Sequence, residues 1–167
     1  WNHTLQVISY IEILLEESSA LSAKSAVIPY IQTAKEILNP YIGPLKQMLN
    51  QPLQAGRKRH SLLILAALYH DAGKPLVQTQ DEQGRYHFYG HEEAGMQLME
   101  NRARALMLGK EEIAYLMALV KQHMHLHFYS KPEVELTKRA IYRYFQKLGE
   151  AGLDNAILSL ADTLAAF

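Results

Sequence analysis

Lys58-Arg59-His60-Ser61-Leu62-Leu63-Ile64-Leu65-Ala66-Ala67-Leu68-Tyr69-His70-Asp71 is the stretch on which the fold turns. Its apolar run, Leu62 to Leu68, covers most sides of a helix. That predicts a helix over 58–71 at the centre of a helical core rather than on its surface. Gly73 and Pro75 end it. Upstream, Leu5, Ile8, Ile11 and Leu15 share one face of a predicted helix over 3–17, broken by Ser18-Ser19. A second helix is predicted over 28–38, with Pro29 tolerated in its first turn and Asn39-Pro40 as its stop. Gly43-Pro44 reads as an irregularity before a short helix over 45–49, and 51–56 reads as a loop. Downstream, 76–89 is polar, with a turn signal at Asp81 to Gly84, and reads as an exposed loop or small hairpin. Helical spacing then resumes over 91–107, 110–123, 135–148 and 154–167, punctuated by Gly109, Pro132, Gly149 and Gly152. The fold class is therefore all-α, a helical bundle, with one domain over 1–167.

Composition narrows the function. The chain of 167 residues is 49% hydrophobic and 20% charged, with formal net charge zero, so no field favours a nucleic acid or a membrane as dominant partner. No apolar run is long enough to cross a bilayer, and no signal-peptide pattern opens the chain. Cysteine is absent, which excludes disulfides and thiolate metal ligands and is compatible with the cytoplasm. Trp1 in place of an initiator Met points to a segment of a longer chain. Residues 18–54 carry no chemical signal, and helix packing or a subunit contact is their expected role.

The chemistry concentrates elsewhere. There are eight histidines, and only four aspartates against thirteen glutamates, so each Asp is the more informative acid. His70 and Asp71 close the central helix, where both side chains can bend toward one ion. A carboxylate there faces the negative end of the helix dipole, and a metal ion is a natural compensator. Imidazole with carboxylate suits Fe, Mn, Co, Ni or Zn better than Mg alone. Lys74, just beyond, is placed to contact an anionic substrate group. Taken alone, the dipeptide reads equally well as a histidine capping the last carbonyls beside an exposed aspartate. His3 lies at the chain's edge, His91 at a predicted helix start where an oxyanion can bind, and His123 at a helix end. Asp162 sits among apolar neighbours, and burying it requires a metal or an arginine such as Arg139 or Arg143. Periodicity slightly favours a solvent-facing stripe for it instead. His60, His87, His125 and His127 read as surface or packing histidines, with His125 and His127 the rivals of His123.

In order along the chain, Trp1-Asn2-His3-Thr4-Leu5, Leu65 through His70-Asp71 to Pro75, Phe88-Tyr89-Gly90-His91-Glu92, His123, and Leu158-Ser159-Leu160-Ala161-Asp162 resemble the HD superfamily of metal-dependent phosphohydrolases. They resemble most the HD domain attached to CCA-adding tRNA nucleotidyltransferases and poly(A)-polymerase-like proteins. Arg139-Ala140-Ile141-Tyr142-Arg143-Tyr144-Phe145 is similar to that group's penultimate helix. The resemblance implies a helical bundle around a metal. It implies His3, His70, Asp71 and Asp162 as ligands of a first divalent ion (Mn, Fe, Co or Ni, with Mg a further candidate). It implies His91 and His123 as ligands of a second ion bridged by Asp71, or as phosphate contacts in a one-metal enzyme. Asp71, Lys74 and His91 would be catalytic, and Lys74, Arg139 and Arg143 would bind the substrate, a phosphorylated small molecule, a nucleotide, a 2′,3′-cyclic phosphate or an RNA end. The alternative is a weakly active or inert RNA-facing module beside an upstream nucleotidyltransferase domain. The polymerase head itself is not in this sequence, which has no Gly-Ser loop followed by paired acids.

Overall fold

A computed structural model describes residues 2–16, 25–130 and 133–167. The architecture is all-α, with one two-stranded hairpin among the described residues. Helix α4 (Arg59–Tyr69) packs against α1 (Asn2–Leu15), α3 (Ile42–Asn50), α6 (His91–Ala105), α7 (Lys110–Gln122) and α9 (Ala151–Ala165), but it is not buried all round as its apolar run suggested, since Ser61 and Leu68 are exposed. Leu62, Leu63, Ala66 and Ala67 are buried, and the two alanines let the neighbouring helices approach closely. In α1 the buried set Val7, Tyr10, Ile11 and Leu14 follows the i, i+3, i+4, i+7 spacing of a helix with one face in the core. In α7, Leu116, Leu119 and Val120 do the same, and α9 is enclosed along most of its length. No helix among the described residues is long and apolar enough to cross a membrane.

Several boundaries differ from the sequence expectation. The helix α3 starts at Ile42, not 45, and carries Gly43-Pro44 inside its first turn. Proline costs little there because the first N–H groups of a helix lack intrahelical partners. After α2 (Ile28–Leu38) the chain continues through a short 3-10 turn (Asn39–Tyr41) rather than a full stop. Pro75 lies in the first turn of a short α5 (Lys74–Val77) that propensity alone did not suggest. The segment 76–89 contains the hairpin β1 (Thr79–Gln80) and β2 (Tyr86–His87), with Thr79 opposite His87. Helix α8 (Lys138–Leu148) starts where Thr137 Oγ1 accepts from the Ala140 N–H at 3.2 Å. Gly152 falls inside α9 instead of before it. Its role is a close approach, since a Cβ there would stand 2.7 Å from the Phe145 ring. The expected break at Ser18-Ser19 and the punctuation at Pro132 lie outside the described residues.

A buried ion pair braces one end of the core. Arg59, 3% exposed, donates from Nε and Nη2 to Asp154 Oδ2 at 2.9 and 2.8 Å, and the Tyr115 hydroxyl donates to the same oxygen at 2.5 Å. This ties α4, α7 and α9 together at the end of α4 remote from His70.

Candidate metal centre

The regular ladder of α4 ends at Tyr69, and a tight turn carries the next residues round. The Ala72 N–H donates to the Tyr69 carbonyl and the Lys74 N–H to the Asp71 carbonyl, both at 3.0 Å. This turn rests directly on the start of α6. A Cβ on Gly73 would collide with the His91 carbonyl oxygen and the Gly95 amide nitrogen, so only glycine permits the contact. The close approach brings His91, at the first position of α6, beside Asp71.

Three histidines share one local device. His70, His91 and His123 each donate Nδ1–H to the carbonyl three residues back, of Ala67, Phe88 and Val120, at 2.7, 2.8 and 2.7 Å. That bond selects the tautomer and aims each Nε2 inward. His70 and His123 are fully buried and His91 is 7% exposed. The carbonyls at the end of α7 that position His123 are themselves held by α9. Ser159 Oγ donates to the His123 carbonyl at 2.7 Å, and Asn155 Nδ2 to that of Leu119 at 3.1 Å.

Asp71 lies between two groups of these nitrogens. Its Oδ2 faces His70 Nε2 at 3.4 Å and His3 Nε2 at 3.8 Å. Its Oδ1 faces His91 Nε2 at 3.5 Å and His123 Nε2 at 3.7 Å. Ligand atoms of His3, His70 and Asp71 all lie within 4.8 Å of one another, as do those of Asp71, His91 and His123. Asp162 stands across the first group, with Oδ1 2.8 Å from His3 Nε2 and 3.5 Å from His70 Nε2.

The donor set fits a cation on two further observations. His70 Nε2 is buried and makes no hydrogen bond. His91 Nε2 and His123 Nε2 point at each other 3.2 Å apart while both Nδ1–H groups are committed elsewhere. Two neutral rings so arranged present lone pair to lone pair, which a proton or a metal ion between or beside them would relieve. The carboxylates supply the field. Burial opposes their charged forms, but His123, His70 and Lys74 close by hold the Asp71 carboxyl well below the ordinary range. His127, His3 and His70 do the same for Asp162, again against burial. Burial also opposes a charged His70, yet Asp162 and Asp71 outweigh it and push that imidazole up to about 10. These two carboxylates, one buried and one partly so, give the group a negative field of the kind that could hold a cation.

The centre borders a cavity of about 530 Å³ lined by His3, Thr4, Tyr69, Asp71, Lys74 and Pro75 among others. Lys74 Nζ lies 2.5 Å from Asp71 Oδ2 and 5.8 Å from the centre of the Phe88 ring, so its charge stands at the mouth. An apolar groove of similar size, lined by Leu38, Leu45, Met48 and Ile157, carries no acid, base or cation.

Of the residues expected from sequence, His3, His70, Asp71, His91, His123, Asp162 and Lys74 come together here. Asp162 is 7% exposed and points into the core, correcting its slight preference for a solvent stripe. Periodicity misplaced it because α9 is covered on nearly all sides. Arg139 and Arg143 do not join; both are exposed on α8, with no ion pair to the centre among the described residues. His60 pairs with Glu12, His87 with Asp81, and His125 packs on Tyr144, as surface and packing histidines do. His127 does not fit that description. Its Nε2 lies 2.9 Å from Asp162 Oδ2. The spacing His123-Met124-His125-Leu126-His127 was the available signal, but helical spacing could not locate His127, because the chain leaves α7 and continues as a 3-10 turn (Leu126–Ser130).

A helical domain with a largely buried His/Asp centre beside an open cleft is the class that fold and site define. The chain belongs to the HD domain family, whose model matches residues 1–166. Members of this family are typically metal-dependent phosphohydrolases that bind divalent ions. The CC-adding tRNA nucleotidyltransferase of Thermus thermophilus is 36% identical over 102 residues, which covers 60% of this chain and 22% of that protein. The similarity thus spans about a fifth of that relative's length.

Proposed function

We propose that this chain is a metal-dependent phosphohydrolase acting on a phosphomonoester or phosphodiester. A nucleotide, a 2′,3′-cyclic phosphate or an RNA end, met in the cytoplasm, is the substrate class. The observation that carries this reading is Asp71 facing two sets of inward-aimed histidine nitrogens at the base of an open cleft. His3, His70, Asp71 and Asp162 would hold one divalent ion, Mn, Fe, Co or Ni, with Mg a further candidate. Asp71, His91 and His123 would hold a second. When bound, such an ion supplies a water of lowered pKa and polarises a phosphoryl oxygen.

The chain's own residues do the rest. Lys74 offsets the phosphate's charge at the mouth, where it is still partly solvated and can shift from Asp71 toward a ligand. Asp71 stays ionised far below neutral pH, so it anchors and accepts hydrogen bonds and is a weak proton acceptor. His91, at the start of α6 with its Nε2 facing Asp71, would hold a phosphoryl oxygen where a single ion is bound. Arg139 and Arg143 are left as contacts for the outer part of an extended substrate.

Elemental analysis of the purified chain, paired with a phosphatase and cyclic-phosphodiesterase screen in added Mn, Co, Ni or Mg, tests this directly. Asp71→Ala is expected to abolish both metal binding and turnover; retained metal with full turnover in that variant would rule the site out. A second reading, an RNA-facing accessory domain of a longer nucleotidyltransferase-like protein, is supported by the likeness to the Thermus protein. RNA binding that persists after the metal is stripped, with no hydrolysis in the screen, would favour it.

A further inference from the structure

Lys74 has two calls on its charge, and they compete. Its Nζ lies 2.5 Å from Asp71 Oδ2, the same oxygen that faces His70 Nε2 at 3.4 Å and His3 Nε2 at 3.8 Å. An ammonium in direct contact with a carboxylate oxygen already draws on its negative charge. An ion held there with His70 and His3 would draw on the same atom and repel the ammonium at close range. Lys74 is also the one lysine or arginine among the described residues that line the cavity. An anion entering the cavity therefore meets its positive partner tied to Asp71.

The local structure confines any exchange to the side chain. Gly73 is pressed against the His91 carbonyl oxygen and the Gly95 amide nitrogen, which leaves no room between the two backbones. The Lys74 N–H is fixed as well, donating to the Asp71 carbonyl at 3.0 Å. The long side chain is freer: it is 37% exposed, and its flexible four-carbon stem can swing. It also has a second resting place, because the centre of the Phe88 ring is 5.8 Å from Nζ and an aromatic face attracts a cation. Leaving Asp71 thus costs the ammonium little, as breaking a partly solvated ion pair generally does.

We infer that Lys74 is a tethered cation competing with the metal for Asp71 Oδ2, and that a phosphate in the cavity favours metal binding by drawing Lys74 away. Lys74 then acts on the metal through Asp71, as a positioning residue whose loss strengthens metal binding instead of weakening it. By linkage the effect is reciprocal, so bound metal also frees Lys74 for the phosphate. The inference rests on the metal-dependent reading of the centre, and its test is metal affinity, so that the two can fail separately. Mn affinity of the full chain is measured by competition against a coloured chelator, for wild type, Lys74→Met and Lys74→Arg, each with and without inorganic phosphate. Lys74→Met is expected to bind Mn about tenfold more tightly, the worth of one charge-assisted hydrogen bond discounted for its exposure. Lys74→Arg, which keeps the charge, is expected to stay near wild type. Phosphate is expected to strengthen Mn binding more in wild type than in Lys74→Met. Equal or weaker Mn binding in Lys74→Met overturns the exchange and leaves the centre standing, since Lys74 would then merely hold Asp71 in place. An equal effect of phosphate on the two chains overturns the link to the anion, and no Mn binding by any of the three overturns exchange and centre together. Tighter Mn binding in Lys74→Met, in a chain that hydrolyses nothing in the metal screen, supports the exchange and sinks the hydrolase.

Discussion

Asp162 has its two oxygens engaged by different histidines, His3 on Oδ1 and His127 on Oδ2. His127 therefore orients a carboxylate that itself belongs to the centre, and partners of this kind tune metal affinity. His127→Ala is expected to keep the fold, since the side chain is 21% exposed. It should weaken metal binding by roughly 10- to 100-fold. A competition titration against a coloured chelator measures this, and an unchanged affinity would reduce His127 to a packing residue. What the sequence showed of the centre followed from context. His70-Asp71 was legible because it closes an apolar run, whereas Asp162 was legible as a candidate but misread in direction. From spacing alone His127 reads as a surface or packing histidine and a rival of His123, because its approach to Asp162 depends on a 3-10 turn that no residue spacing announces.

Among the elements, the long helices were readable because their apolar spacing extends over several turns. Local energies settled their ends instead: a proline free of cost in a first turn moved the start of α3, and a glycine needed for contact with Phe145 lay hidden in α9. The hairpin gives a sharper test of local energetics. Hydrogen bonds from His87 and from the Arg85 backbone hold the Asp81 carboxyl below its ordinary value. A depressed carboxyl stabilises the folded hairpin above the unfolded pKa, about 3.9, and that contribution is lost as pH falls below it through the folded pKa. Amide exchange or chemical shifts across 79–89 should thus report loosening on acidification below about pH 4. The same residues in Asp81→Asn should show no such step. A step that persists in the variant would place the titrating group elsewhere.

For the molecule as a whole, α4 and α9 are fastened at two places. At one end is the Arg59–Asp154 pair with the Tyr115 hydroxyl, and at the other His70 and Asp162. At 1.5 Å per residue, the 11 residues from Arg59 to His70 put the fastenings about 16 Å apart along α4. Asp154→Ala would leave the Arg59 guanidinium buried with Glu150, itself largely exposed, as its remaining acidic partner. That substitution is expected to cost about 3–5 kcal/mol, the usual consequence of stripping one member from a buried pair. Denaturant unfolding measures it, and a loss under about 1 kcal/mol would show that water reaches the arginine after all.

The placement of Asp71, one oxygen toward each group of histidines, also bears on how the centre would fill. Its single negative charge serves both compartments. Whatever cation settles on one side draws on the charge that the other side depends on, so the two occupancies are thermodynamically linked. A metal titration of this chain should therefore rise more gradually than independent binding predicts. The shared carboxylate would make a second ion the weaker guest, and a cell's supply of metal, as much as the protein, would decide whether one or two are aboard.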